Sequence, residues 1–206
     1  DEKNYNLLIA GMALYAAKQY SRAFIVLKDI NLDFSVGQLI IQFVKKDFYS
    51  LLKSTSKVFF EDFCELSNIQ VLDEWVISHE IARIFMIITD YVQTGNKDDF
   101  TIIDDIFNKL LLVAVDSNLI SFWLIIRLLR IILSTYFKAS LWSVLPPLLS
   151  SQYTTKSYIQ LLSGFVPPVT ELWPSQVAAI PLAVGENDGG IINLRTSGVK
   201  TRVAEI

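Results

Sequence analysis

Between Leu110 and Phe137 the chain is almost unbroken in apolar residues, and the few interruptions decide what it can fold into. Arg127, Arg130, Ser134 and Lys138 follow one another at i, i+3, i+7 and i+11. On a rod of 3.6 residues per turn these positions share one face, so the spacing predicts a helix that is buried apart from a single polar stripe. A bilayer-spanning alternative would place both arginines near the membrane centre, at a cost of roughly 2.5–3.5 kcal/mol each. The stretch is therefore read as a central core helix, and no membrane partner is expected.

Upstream, apolar residues recur every three or four positions rather than every second one, which favours helices over strands. Asn4 to Lys18 and Ser21 to Ile30 read as two short antiparallel helices, with Gly11, Tyr20, Ala23 and Leu27 spaced like the close-packed pair of a tetratricopeptide-type hairpin. Helices then follow over Gln38 to Lys53, Val58 to Cys64 and Val71 to Gln93. A loop at Gly95 to Asp98 leads, with Asp98 or Asp99 as N-cap, into a helix ending at Val115. Asp116-Ser117-Asn118 breaks the chain before the apolar stretch. The expected class is mostly α, a multi-helix bundle or short α-solenoid-like domain, followed by a small piece with one strand and a P-loop-like turn.

Composition changes near Ser150. All six prolines lie between Pro146 and Pro181, and five of the eight glycines lie from Gly164 onward. Pro146-Pro147 and Pro167-Pro168 stop helices, so they bracket a linker with one helix, about Thr155 to Ser163. Residues 1–150 are read as an all-helical accessory domain and residues 151–206 as a linker and the start of a second domain. The net charge of −3 argues against a surface that coats nucleic acid, and residues 1–150, with 14 Lys/Arg against 17 Asp/Glu, are mildly acidic and read as carrying no basic stripe. The single cysteine, Cys64, excludes an internal disulfide and fits a reducing, cytoplasmic setting. Asp1 and Glu2 stand where a signal peptide needs positive charge.

The ordinary catalytic and metal constellations are missing from the sequence. His79-Glu80-Ile81-Ala82-Arg83 opens like a zinc-protease helix but has Arg83 in place of the second histidine. Asp98, Asp99, Asp104 and Asp105 read as helix-start charge and a solvated face. Trp75, Trp123 and Trp142 read as core, and a lone His79 has no nucleophile beside it.

The most specific pattern lies at the end. Trp173-Pro174-Ser175-Gln176 is followed by Gly189-Gly190-Ile191-Ile192-Asn193-Leu194 and, some twenty residues after Gln176, by Thr196-Ser197-Gly198-Val199-Lys200-Thr201-Arg202-Val203-Ala204-Glu205. An apolar strand feeding a small-residue loop and a helix start is the context in which backbone N–H groups, a helix dipole and a lysine face a triphosphate. In these two motifs the final quarter of the chain resembles the start of the motor domain of superfamily-two DEAD/DEAH-box helicases, in particular the Ski-like group.

The resemblance implies that the Gln176 amide reads adenine and that Thr196, Ser197 and Gly198 supply backbone donors. It also implies that Lys200 meets the β- and γ-phosphates and that Thr201 joins the Mg²⁺ shell. ATP and Mg²⁺ are thereby cofactors of a parent ATP hydrolase. Nucleic acid is its partner through a motor that would follow, and residues 1–150 form a scaffold for that motor or for a protein. No catalytic residue falls within the chain, which alone should not hydrolyse ATP, because no Asp-Glu box, second lobe or arginine finger is present. Val199 stands where the family has glycine, and a β-branched side chain there crowds the phosphates. That departure supports the rival expectation, a non-enzymatic helical interaction module with a decayed P-loop.

Overall fold

A computed structural model of the chain describes residues 2–30, 32, 34–60, 69–148 and 152–183. The described residues are overwhelmingly helical, in agreement with the mostly-α expectation. Ten helices follow in order: α1 (Glu2–Ala16), α2 (Tyr20–Leu27), α3 (Ser35–Val44), α4 (Phe48–Phe60), α5 (Ile69–Thr94), α6 (Asp99–Asp116), α7 (Ile120–Ala139), α8 (Leu141–Val144), α9 (Gln152–Ser163) and α10 (Pro174–Ala183). The strand expected at 191–194 and the composition boundary near Ser150 lie outside the described residues. By compactness the chain divides into Asp1–Leu133 and Ser134–Ile206, a division that falls within α7.

In the first unit the helices are set off by one repeated device. Lys18, Lys46 and Asn118 adopt left-handed backbone angles (φ 61°, 59° and 53°). Each is followed by a six-residue closing bond: Gln19 N–H to Leu14 O (2.9 Å), Asp47 N–H to Gln42 O (3.0 Å) and Leu119 N–H to Ala114 O (2.8 Å). These are Schellman turns made without glycine. They correct one expectation, since Gln38 to Lys53 is not a single helix but the end of α3, a turn at Lys46 and the start of α4. The Asp47 carboxylate then accepts from Ser50 N–H at 3.0 Å and caps α4.

The central helix of this unit is α5, not the apolar stretch. Ile77, Ile81, Ala82, Ile84, Phe85, Ile88 and Tyr91 are fully buried, and α5 packs against α3, α4 and α6. An aromatic cluster joins five helices: Phe43 of α3 lies 6.2 Å from Tyr15 of α1, 6.3 Å from Phe48 of α4 and 5.6 Å from Phe85 of α5. Tyr15 in turn meets Tyr20 of α2 edge-on at 4.8 Å. Ser117 Oγ donates to Asp73 Oδ2 at 2.6 Å, fixing the α6–α7 turn on α5.

Helix α7 is covered on one side only. Ile125, Ile126, Leu129, Ile132 and Leu133 are buried, whereas Ile120, Trp123 and Ile131 share the exposed face with Arg127, Ser134 and Lys138. It is long and apolar enough to cross a membrane by length and composition, with a mean hydropathy of 1.7, and 33% of that window is buried. Both mid-helix arginines have partners: Arg130 pairs with Asp104 at 2.7 Å and donates to Asn108 at 3.1 Å, and Arg127 lies 5.3 Å from the Trp123 ring centre.

The second unit has its own small core of Leu141, Leu145, Ile159, Leu162, Leu172 and Ile180. Ser140 and Glu171 form an isolated antiparallel bridge through Leu141 N–H to Thr170 O (3.1 Å) and Leu172 N–H to Ala139 O (2.8 Å). The bridge brings the segment before α10 against the end of α7.

Candidate functional site

Of the six residues expected at a nucleotide site, Gln176 is described; Thr196, Ser197, Gly198, Lys200 and Thr201 lie outside the described residues. Gln176 stands at the third position of α10, after Trp173 at the cap and Pro174 at the first helical position, where the missing proline N–H has no helical partner to lose. Its Oε1 accepts from Trp173 N–H at 2.7 Å, while Trp173 O accepts from the Gln176 and Val177 N–H groups at 2.9 Å each. This is the glutamine half of a capping box. The side chain is 6% exposed, and Leu172 and Ile180 on either side anchor the turn in the second unit's core.

With its Oε1 engaged by Trp173 N–H and little of the residue exposed, Gln176 serves the start of its own helix. Removing the cap has a measurable cost. Gln176→Ala is expected to lower stability by about 0.5–2 kcal/mol, and Gln176→Glu, which keeps the acceptor, should restore most of it in thermal melts.

His79 is held inside α5. Its Nδ1 donates to Trp75 O at 3.0 Å, since a carbonyl can only accept. The ring lies 3.7 Å from the Trp75 ring centre and meets Phe59 edge-on at 5.8 Å. Cys64 lies outside the described residues. Among the described residues no group of three or more His, Cys, Asp or Glu side chains is arranged to hold a metal ion.

The acidic loop before α6 is organised differently from the expected cap. Asp98 is the cap residue, but its side chain makes no capping bond. Asn96 braces the loop instead, accepting from Asp98 N–H at 3.2 Å and donating to Asp99 Oδ1 at 2.9 Å. Asp99 is 7% exposed and its Oδ2 has no hydrogen-bond partner.

Burial raises the Asp99 pKa above its ordinary 3.8; the Asp90 and Asp98 carboxylates push the same way and the Asn96 bond opposes them. A raised pKa means the folded chain holds this proton more tightly than the unfolded one, so stability falls as pH rises from about 3.8 through the folded value. Asp99→Asn is accordingly expected to raise the melting temperature at pH 7. The gain should shrink towards zero below about pH 4; a gain that is equal at both pH values would refute the assignment.

No family model matches the chain. Over 204 residues, 99% of its length, the chain is 29% identical to the Hachiman protein HamB of Bacillus cereus, and it spans 18% of that protein's length. This corrects the likeness to DEAD/DEAH-box, Ski-like helicases. That likeness rested on the final quarter alone, whereas the similarity found runs along the helical front as well. The Trp173–Gln176 motif also has a local cause, because proline first and glutamine third are what start and cap α10.

Proposed function

We propose that this chain is the helical accessory portion of a longer, ATP-dependent helicase-type protein that works in the cytoplasm in a Hachiman-type defence system. The observation that carries the reading is the similarity to HamB, which takes in 99% of this chain but only 18% of the relative. In this reading residues 1–150 are a scaffold that meets the motor or a protein partner, and residues 151–206 lead into the nucleotide site. Gln176 reads adenine, Thr196, Ser197 and Gly198 offer backbone donors, Lys200 meets the phosphates, and Thr201 supports Mg²⁺. ATP, Mg²⁺ and nucleic acid belong to the longer protein, and the chain alone hydrolyses nothing.

The test uses a longer protein that runs on through the motor. Lys200→Ala is expected to lower ATP affinity tenfold or more. Gln176→Glu should leave the fold intact, because it still accepts from Trp173 N–H, yet weaken ATP through the lost amide donor. Unchanged ATP binding in the lysine variant would sink the reading. It would favour the second one, a non-enzymatic helical interaction module, for which Val199 in the loop is the specific motive.

A further inference from the structure

The charge of this chain is unevenly placed. From Lys18 to Phe60 there are seven basic residues (Lys18, Arg22, Lys28, Lys45, Lys46, Lys53, Lys57) and three acidic ones (Asp29, Asp33, Asp47), a net +4 within a chain of net −3. The remainder is therefore −7, and Glu61, Asp62 and Glu65 close the basic tract. The fold draws the tract together: Lys45 Nζ donates to Lys28 O at 2.8 Å, joining the end of α2 to the turn before α4.

Helix α4 carries the most exposed aromatic side chains of the tract. Its thirteen residues include no Asp or Glu. At 100° per residue Tyr49, Lys53, Ser56 and Phe60 fall in one line, with Lys57 beside them. Tyr49 is 83% exposed and Phe60 85%, far beyond what core-forming aromatics tolerate, and Lys53 and Lys57 are also exposed. Among the described residues neither lysine meets a carboxylate.

We infer that the outer face of α4 binds single-stranded nucleic acid, Tyr49 and Phe60 stacking on bases and Lys53 and Lys57 meeting phosphates. Two exposed rings flanking two exposed ammonium groups supply both components that sequence-tolerant single-strand binding needs. The complementary partner of a basic tract on an otherwise acidic chain is a polyanion. A duplex satisfies only the charge, since its bases are already stacked. This inference extends the proposed helicase-type role by giving the helical module its own grip on a strand, and it is independent of the nucleotide loop.

The experiment is fluorescence anisotropy of a labelled oligothymidylate titrated with the 206-residue chain at low salt, with no nucleotide added. The wild type should bind. Tyr49→Ala with Phe60→Ala should weaken binding about tenfold or more. Lys53→Gln with Lys57→Gln should flatten the slope of log affinity against log salt by about 1.4, at ~0.7 per phosphate contact. Lys156→Gln, an exposed lysine of α9, should change neither. The proposal is overturned if the wild type fails to bind, if the aromatic variant binds as before, if the lysine variant keeps its slope or matches Lys156→Gln, or if duplex competes as well as single strand. It is also overturned if the α4 variants change self-association instead, because the face is then a protein interface. Failure here leaves the ATP test of the longer protein standing, so the two readings are judged separately.

Discussion

Phe43→Ala is expected to remove about 3–5 kcal/mol from the stability of the first unit. The side chain is fully buried, and its ring touches Tyr15, Phe48 and Phe85 from three other helices. Lys46 Nζ lies 4.6 Å from its centre and donates to Tyr15 OH at 2.9 Å, so the residue whose left-handed backbone makes the α3–α4 turn also holds its ammonium over the cluster. Truncation loses transfer free energy, leaves a cavity among rings that cannot all close in, and removes a cation–π contact of the order of 0.5–2 kcal/mol. Urea unfolding followed by circular dichroism measures the loss. A shift below about 1 kcal/mol would mean that the cluster does not hold the helices together. Phe60→Ala, of the same residue type but 85% exposed, should stay within about 0.5 kcal/mol, which keeps the α4 variants usable in binding assays.

Gly11→Ala is expected to destabilise even though alanine is the better helix former by about 1 kcal/mol. A Cβ at Gly11 would overlap the Leu27 side chain of α2, which is itself fully buried. Because Leu27 has no free space to enter, α1 and α2 must move apart, at a net cost of about 1–3 kcal/mol. A double-mutant cycle isolates the cause. In a Leu27→Ala background the added methyl has room, so Gly11→Ala should there be neutral or stabilising. Equal destabilisation in both backgrounds would place the cost elsewhere.

The Gly11 contact also shows what could be read without coordinates. The spacing of Gly11, Tyr20, Ala23 and Leu27 foretold a close helix pair, and α1 and α2 are that pair. Helix starts and stops were legible where a residue announces itself, as at Asp116-Ser117-Asn118, the break between α6 and α7. They were not legible at Lys46, because a left-handed residue is normally glycine or asparagine, and lysine there carries no such signal. Hence α3 and α4 read as one helix with its ends displaced. The basic tract was hidden differently: counted over residues 1–150 it disappears beneath the acids of α5 and α6.

Local spacing therefore determined the class of this protein. A period of three to four apolar residues can be buried only by helices, and prolines confined to the end allow the long ones to form. Burial rank was decided by tertiary structure. The stretch from Leu110 to Phe137 is the more apolar, yet α5 is the helix enclosed by α3, α4 and α6. Hydrophobicity measures what burial would gain and does not say which elements arrive to provide it. The same holds for Gln176, whose amide could have served a ligand or its own helix. Only folding placed its oxygen 2.7 Å from the Trp173 N–H, because an orphan donor at a helix start must find an acceptor and this one is nearest.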